Sequence, residues 1–430
     1  DEEITTNPAG RTDGDTTIWS YYDAGGLVQK KTYADGTHED SEYNALNMGV
    51  KKTDARGIIT TYTWDVNKGV CNNIAFSDGT PSQQFAYNHL ANLYRIVDAS
   101  GTRDITYNIY NEQETDGIAV NGAQHTVTEA FDVFGRSAGY ALGKGATALD
   151  TVAYGYGAEG RMATASFLHD GEKTFAYSYL PGTNLLHTIA HPNNILITRS
   201  YEEHRDLAIS MNATRGTTDV VLRGYTYDAL GRPITRTCAR QATTRNDSFA
   251  YNERSELTNA SLGTTPYVYA YDNIGNRETA QEAAQVLTSY ATNPLNQYSG
   301  IIQGTETPFL PEYDATGNQT KIRTSTGIWT LVYDANNRPT SFTSEDGQTV
   351  IACAYDYMGR RFMKKVTAGE VITLHQFYLY RGYLQIAALD LTRSTLNALW
   401  FTHWDPTEPI ATRPLSIRKN ATWYTYGHDL

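Results

Sequence analysis

Rings and small residues alternate in short runs along this chain, and the runs end alike. In Tyr225-Thr226-Tyr227 and Tyr267-Val268-Tyr269-Ala270-Tyr271 every second position is aromatic. A period of two puts those rings on one face of a β-strand. Long Leu- and Ala-rich segments at helical spacing are scarce. The pattern predicts many short strands, and the residues between the runs predict how the strands are joined.

Those joining residues repeat. Tyr227-Asp228-Ala229-Leu230-Gly231-Arg232 returns as Tyr271-Asp272-Asn273-Ile274-Gly275-Asn276 and Tyr313-Asp314-Ala315-Thr316-Gly317-Asn318. It returns again as Tyr333-Asp334-Ala335-Asn336-Asn337-Arg338 and Tyr355-Asp356-Tyr357-Met358-Gly359-Arg360. Weaker copies stand at Phe131-Asp132, Tyr156-Gly157, Tyr22-Asp23, Tyr43-Asn44, Trp64-Asp65, Tyr87-Asn88, Tyr107-Asn108 and Tyr251-Asn252. Tyr22, Tyr43 and Trp64 follow one another at 21 residues, and Tyr313, Tyr333 and Tyr355 at 20 and 22. One Tyr-Asp pair means nothing; a fixed period across the chain is the mark of a repeat architecture.

Each part of the unit has a physical task. Asp or Asn opens a turn by accepting backbone N–H groups two residues on. The Gly or Asn three residues later supplies a positive φ that other residues resist. A second turn type, Asp35-Gly36, Asp78-Gly79, Asp170-Gly171 and Asp346-Gly347, closes the opposite end. One period is therefore two strands and two turns. A lone hairpin is marginal in water, but stacked hairpins cover each other's edges. Sheet twist then coils the ladder.

Composition narrows the reading. Tyr outnumbers the other rings, at 32 against 12 Phe and 6 Trp, as suits strands whose rings pack while their hydroxyls find polar partners. The net charge of −12 disfavours nucleic acid as a partner. No apolar run is long enough for a membrane span. The polar start, DEEITTNPAG, carries no signal peptide and reads as part of something longer. Cys71, Cys238 and Cys353 are far apart and read as small buried side chains, with no zinc site or disulfide framework.

The unit Y-D-x-x-G-R, at a period a little over twenty, resembles the YD repeats of Rhs proteins. Such repeats also occur in the B and C components of bacterial insecticidal toxin complexes and in teneurins. The resemblance runs from about Tyr22 to about Tyr380. It implies an all-β fold, a coiled antiparallel sheet of stacked hairpins that forms a partial or closed hollow shell. It also implies a secreted or cell-surface bacterial setting, and either enclosure of the parent protein's own C-terminal cargo or a surface for a protein or glycan partner. Many Rhs cores end in a self-cleavage region with a D-P-x-G-L motif. Trp404-Asp405-Pro406-Thr407-Glu408-Pro409 has the Asp-Pro without the Gly-Leu. The chain stops at Tyr426-Gly427-His428-Asp429-Leu430, as though a further repeat were beginning. Self-cleavage module and cargo are therefore expected to be missing from it.

The expected division is a hairpin array over 1–386 and an aromatic segment over 387–430. Within the latter, Asp390 to Trp400 reads as a loop or short helix. Trp400, Trp404, Trp423 and Tyr424 either pack on the last strands or form a glycan-stacking patch. Other chemistry is thin. Gly135-Arg136-Ser137-Ala138-Gly139 matches a nucleophile elbow, but Gly135 is a repeat-turn glycine and Ser137 begins a strand. His187 and His191 read as loop or surface residues, since Pro192 breaks any helix that would align them. No catalytic, metal or cofactor residue is assigned. The runner-up reading is a secreted hydrolase, of the aspartyl-peptidase type, acting on glycoproteins, because turns dense in Asp can bring two carboxylates together. Gly231→Val forces a β-branched residue into positive φ and is expected to cost ~1–3 kcal/mol. Thermal melting checks this, and unchanged melting would contradict the turn assignment.

Overall fold

The computed structural model describes residues 2–5, 16–21, 26–169, 171–393, 396–408 and 413–428. Among them there is no helix. A 27-stranded sheet runs from Glu2–Thr5 to Tyr298–Gln303, and an 11-stranded sheet from Glu312–Tyr313 to Thr422–Thr425. Strands pair antiparallel with their neighbours in the chain, as Thr218–Tyr227 does with Ala208–Arg215 and Pro233–Arg240. The pair Ile301 and Phe309 continues the contact between the two sheets.

At each strong repeat the ladder shifts register beside the aromatic residue, between Thr226 and Tyr227, Ala270 and Tyr271, Glu312 and Tyr313, Val332 and Tyr333, and Ala354 and Tyr355. Such a bulge re-aims one side chain and strengthens the local twist. Here it sends the ring back across the sheet. The Tyr227 hydroxyl donates to the Ala208 carbonyl at 2.6 Å, Tyr271 to Leu257 at 3.0 Å and Tyr313 to Tyr298 at 3.1 Å. Tyr333 reaches Gln319 and Tyr355 reaches Pro339, each at 2.9 Å. Every one of these acceptors is the first residue of the strand that follows the preceding tip. The Trp64 and Trp404 indoles make the same bond, to Gly49 at 2.8 Å and Gln385 at 2.9 Å.

The acidic residue closes the turn. Asp228 Oδ1 accepts from the amides of Leu230 and Arg232, both at 2.9 Å, so the expected bond two residues on has a companion four residues on. Asp272, Asp314, Asp334 and Asp356 bond in the same way. Gly231 sits at φ 79°, Gly275 at 93°, Gly317 at 87°, Asn337 at 59° and Gly359 at 76°. Arginine then ties one tip to the next. Arg232 Nε donates to Asp228 at 2.6 Å, Nη1 donates to the Asn252 carbonyl at 3.1 Å, and the guanidinium lies 4.9 Å from the Tyr251 ring centre.

The ladder coils back on itself. Contacts between the two sheets join residues as far as 278 positions apart. Near the Asp334 tip the second sheet meets the first at its opposite turns: the Ala335 amide donates to Thr80 Oγ1 and the Tyr357 amide to Asp98 Oδ2. Farther along, faces pack together, and the core between them holds Leu142, Phe167, Phe175, Phe377, Leu389 and Leu415, all buried. The fold class is as expected, and the sheets do not close within this segment.

Several expectations change. Asp390 to Trp400 is a loop only in part: strand Leu384–Asp390 ends at its first residue, residues 391–393 and 396 lie outside the strands, and its last four residues open strand Asn397–Trp404, with Ala387 opposite Phe401. Strand Asn397–Trp404 pairs with Leu384–Asp390, so the ladder resumes beyond the intervening residues. Residue 387 lies inside one of these strands. Cys353 is buried, but Cys71 and Cys238 are only half-buried; all three are free thiols. His191 is buried rather than at the surface, because its ring packs on Phe175 at 4.7 Å. Tyr22-Asp23, Asp170, Pro409, Asp429 and Leu430 lie outside the described residues.

Tyr227→Phe keeps the ring and removes one hydroxyl donor from a part-buried carbonyl. It is expected to lower unfolding stability by roughly 0.5–1.5 kcal/mol in urea titration. An unchanged midpoint would show that the cross-hairpin bond contributes nothing.

Candidate functional site

The seam where the two sheets meet holds a set of buried or half-buried charged pairs. At its start, Arg56 pairs with Asp54 at 2.7 Å, donates to the Asp334 carbonyl at 3.1 Å and stands 3.6 Å from Asp314. Burial raises the Asp314 carboxyl; hydrogen bonds from Asn318 and Thr316, with the Arg56 charge, outweigh it and hold the group below the usual range. A cavity of about 380 Å³ beside these groups is lined by Asp78, Asp98, Asp334, Arg338, Cys353 and Tyr355 among others.

A hydrolase would need two of those carboxylates to share a proton or flank a water. Each is instead occupied by a donor of its own. Asp78 accepts from the Thr80 amide at 2.9 Å, Asp98 from Tyr357, and Asp334 from Arg338 Nε at 2.8 Å. Among the described residues no hydrogen bond joins two carboxyl groups, and no cluster of His, Cys, Asp and Glu has the makings of a metal site.

Deeper in the seam lies an arrangement that no sequence motif announces. His403 Nε2 is 2.8 Å from Asp150 Oδ2, and its Nδ1 is 2.9 Å from Ser416 Oγ. Arg418 donates to the Leu149 carbonyl at 2.8 Å and stands 3.4 Å from Asp150. Hydroxyl, imidazole and carboxylate in line resemble a hydrolytic relay. Their burial decides against that use: His403 and Ser416 are wholly inaccessible and Asp150 is 3% exposed. Phe167 stacks on one side of His403 at 4.0 Å and Trp423 lies 5.1 Å from it. The group joins the sheets. Asp150 and His403 are 253 residues apart, so no local motif announces them. Nearby, Arg381 donates two hydrogen bonds of 2.7 Å to Glu129, a fork-to-fork pair between the sheets.

The aromatic residues singled out from the sequence divide. Trp404 holds the repeat position of a tyrosine, with its indole bonded to Gln385. Trp423 lies against His403, and Trp400 is half-buried 6.3 Å from Tyr378. Tyr424, at 53%, is the exposed one of the four. Most of the repeat's Tyr, Asp and Gly residues line up along one rim of the ladder, while Asp334 and Asp356 are drawn into the seam.

No protein-family profile matches this chain, and no curated protein does. Solved structures are similar in fold. The chain superposes on the TcdB2-TccC3 crystal structure with a TM-score of 0.73 at 14% identity, covering 94% of this chain and 24% of that one. TcdB2-TccC3-Cdc42 gives 0.74 at 15% identity, with 94% and 23% covered. The Tc holotoxin pore of Photorhabdus luminescens gives 0.70 at 14%, with the same coverage of 94% and 23%. The chain thus spans under a quarter of the structures it matches, and the likeness is one of fold.

Desolvation, with the His428 charge second, pulls the buried His191 imidazole down to about 4. The unfolded residue titrates near 6.5, so on acidification the unfolded chain takes up this proton first. Its contribution to stability is whole above 6.5 and is lost as pH falls toward 4, at about 1.4 kcal/mol per unit and roughly 3 kcal/mol in all. Urea midpoints are expected to drop between pH 7 and pH 4.5, with a shallower slope in His191→Leu. Equal slopes would contradict the assignment.

Proposed function

We propose that this chain is a non-catalytic wall segment of an Rhs-type shell in a secreted bacterial protein, enclosing that protein's own C-terminal cargo. The observation that carries the reading is the seam: one continuous meander returns on itself and is locked there by buried ion pairs and packed faces. The fold likeness to TcdB2-TccC3 supports it, as does the small share of that structure which the chain spans. One of the similar structures is of TcdB2-TccC3 without a hypervariable C-terminal region. Among the described residues no helix is long and apolar enough to cross a membrane.

The alternatives have less behind them. A glycan-stacking patch needs exposed rings, and three of the four candidate aromatics are engaged in packing. An aspartyl peptidase needs a carboxylate pair free to share a proton, and the carboxylates around the seam cavity are each held by other donors.

Two measurements test the proposal. Purified chain is expected to give no turnover of glycoprotein substrates, with Asp98→Asn and Asp334→Asn indistinguishable from parent. Turnover abolished by either change would establish the peptidase. In the full-length parent, a protease site placed after residue 430 is expected to resist a protease that cuts the same site fused to this chain alone. Equal cleavage in both would overturn the enclosing role.

A further inference from the structure

Along the tip rim, arginines bind forward. Arg136 reaches the Gly160 carbonyl at 3.4 Å, Arg338 the Asp356 carbonyl at 3.0 Å and Arg360 the Gly382 carbonyl at 2.6 Å. In one tip the usual arginine position is occupied by Glu256, and the cation comes from within the turn. There Arg254 pairs with Glu256 at 2.9 Å and donates to the Asp272 carbonyl of the next tip.

A second tip has the same frame without the cation. Tyr107-Asn108-Ile109-Tyr110-Asn111-Glu112 matches Tyr251-Asn252-Glu253-Arg254-Ser255-Glu256 in turn geometry. Asn108 Oδ1 accepts from the amides of Tyr110 and Glu112, as Asn252 Oδ1 does from Arg254 and Glu256. Asn108 Nδ2 donates to Glu112 Oε2 at 2.7 Å, as Asn252 Nδ2 does to Glu256. Asn111 and Ser255 share a φ of 66°. Glu112 Oε1 lies 3.2 Å from where a Cβ on Gly135 would stand, and Glu256 Oε1 lies 3.1 Å from the same point on Gly275. The difference is that Tyr110 stands where Arg254 does. Among the described residues no cation pairs with Glu112.

What results is a groove of about 590 Å³ between this tip and the next, with no Lys or Arg in its lining. Glu129 and Asp132, on its wall, are already paired with Arg381 and Arg136, while Glu112 and Glu114 are not. Its shoulders are apolar and open: Ile109 is 91% exposed, Tyr110 78%, Val133 94% and Phe134 78%.

We propose that this groove binds an arginine side chain presented by a protein partner. Glu112 takes the part of Glu256 and the Asp132 carbonyl that of Asp272. The repeat supplies the pattern internally, since the Asn252 to Glu256 tip carries its own guanidinium. A planar fork suits a carboxylate and a carbonyl side by side better than a compact ammonium does. The flanking rings favour the weakly hydrated guanidinium. The chain's charge of −12 attracts basic segments over distance. The proposal does not depend on the enclosing role, which the protease-protection experiment decides separately.

The test titrates the purified chain with a capped Leu-Arg-Leu peptide, followed by calorimetry and NMR at low and high salt. Lys and citrulline versions of the peptide serve as probes of charge and shape. The arginine peptide is expected to saturate one site, with the lysine peptide about fivefold weaker and the citrulline peptide weaker still. Glu112→Gln is expected to weaken binding about tenfold. Tyr110→Arg restores the internal cation, so it is expected to abolish peptide binding and raise the melting temperature; circular dichroism verifies that both variants fold. Failure to saturate, equal binding of arginine and citrulline peptides, or full binding in folded Tyr110→Arg would each overturn the proposal.

Discussion

The architecture depends on a bond that runs against the direction of the chain. A ring displaced by a β-bulge returns its hydroxyl, or its indole N–H, to a carbonyl at the start of the strand after the preceding tip. Without it each hairpin would be joined to the last by ladder hydrogen bonds alone, and register along so long a meander would be weakly specified. With it, each strong repeat measures itself against the one before. The bulge that aims the ring also adds twist, so the bond that fixes register and the curvature that coils the sheet share one origin.

Coiling creates the second level of organisation. Once the ladder has turned far enough, tips of the later sheet meet opposite turns of the earlier one, and farther on the faces pack. Polar groups trapped there are paired: Arg381 with Glu129, His403 with Asp150 and Ser416, Arg56 with Asp54 and the Asp334 backbone. Breaking such a pair leaves a buried charge without a partner, which is costly whatever the pair itself contributes. The seam therefore selects one way of closing the coil. It also explains why a Ser-His-Asp alignment can exist without being a site of reaction, because the core that holds it excludes substrate.

The repeat was legible from sequence because its parts are local. Asp228 and Gly231 act within one turn, and their roles follow from backbone chemistry. The role of Tyr227 was half visible: alternation placed the ring, but its acceptor, Ala208, lies 19 residues upstream and depends on a bulge that leaves no mark in the pattern. The strand that begins at Asn397 is hard to read from sequence because Trp404 carries no Tyr-Asp signature, although Trp64 in the early array shows that an indole serves the same end. The seam was not legible at all. Its partners are hundreds of residues apart, and only the accumulated twist brings them together.

Hydrogen–deuterium exchange resolved by hairpin tests the central claim most directly. Along the outer rim, the amides two and four residues beyond a turn Asp or Asn, such as Leu230 and Arg232, sit at the tips yet bond to a side-chain oxygen held by its own repeat. They are expected to exchange as slowly as the flanking strand amides, and in every strong repeat alike. Rapid exchange at the tips with protection confined to the strands would contradict a ladder built from self-measuring turns.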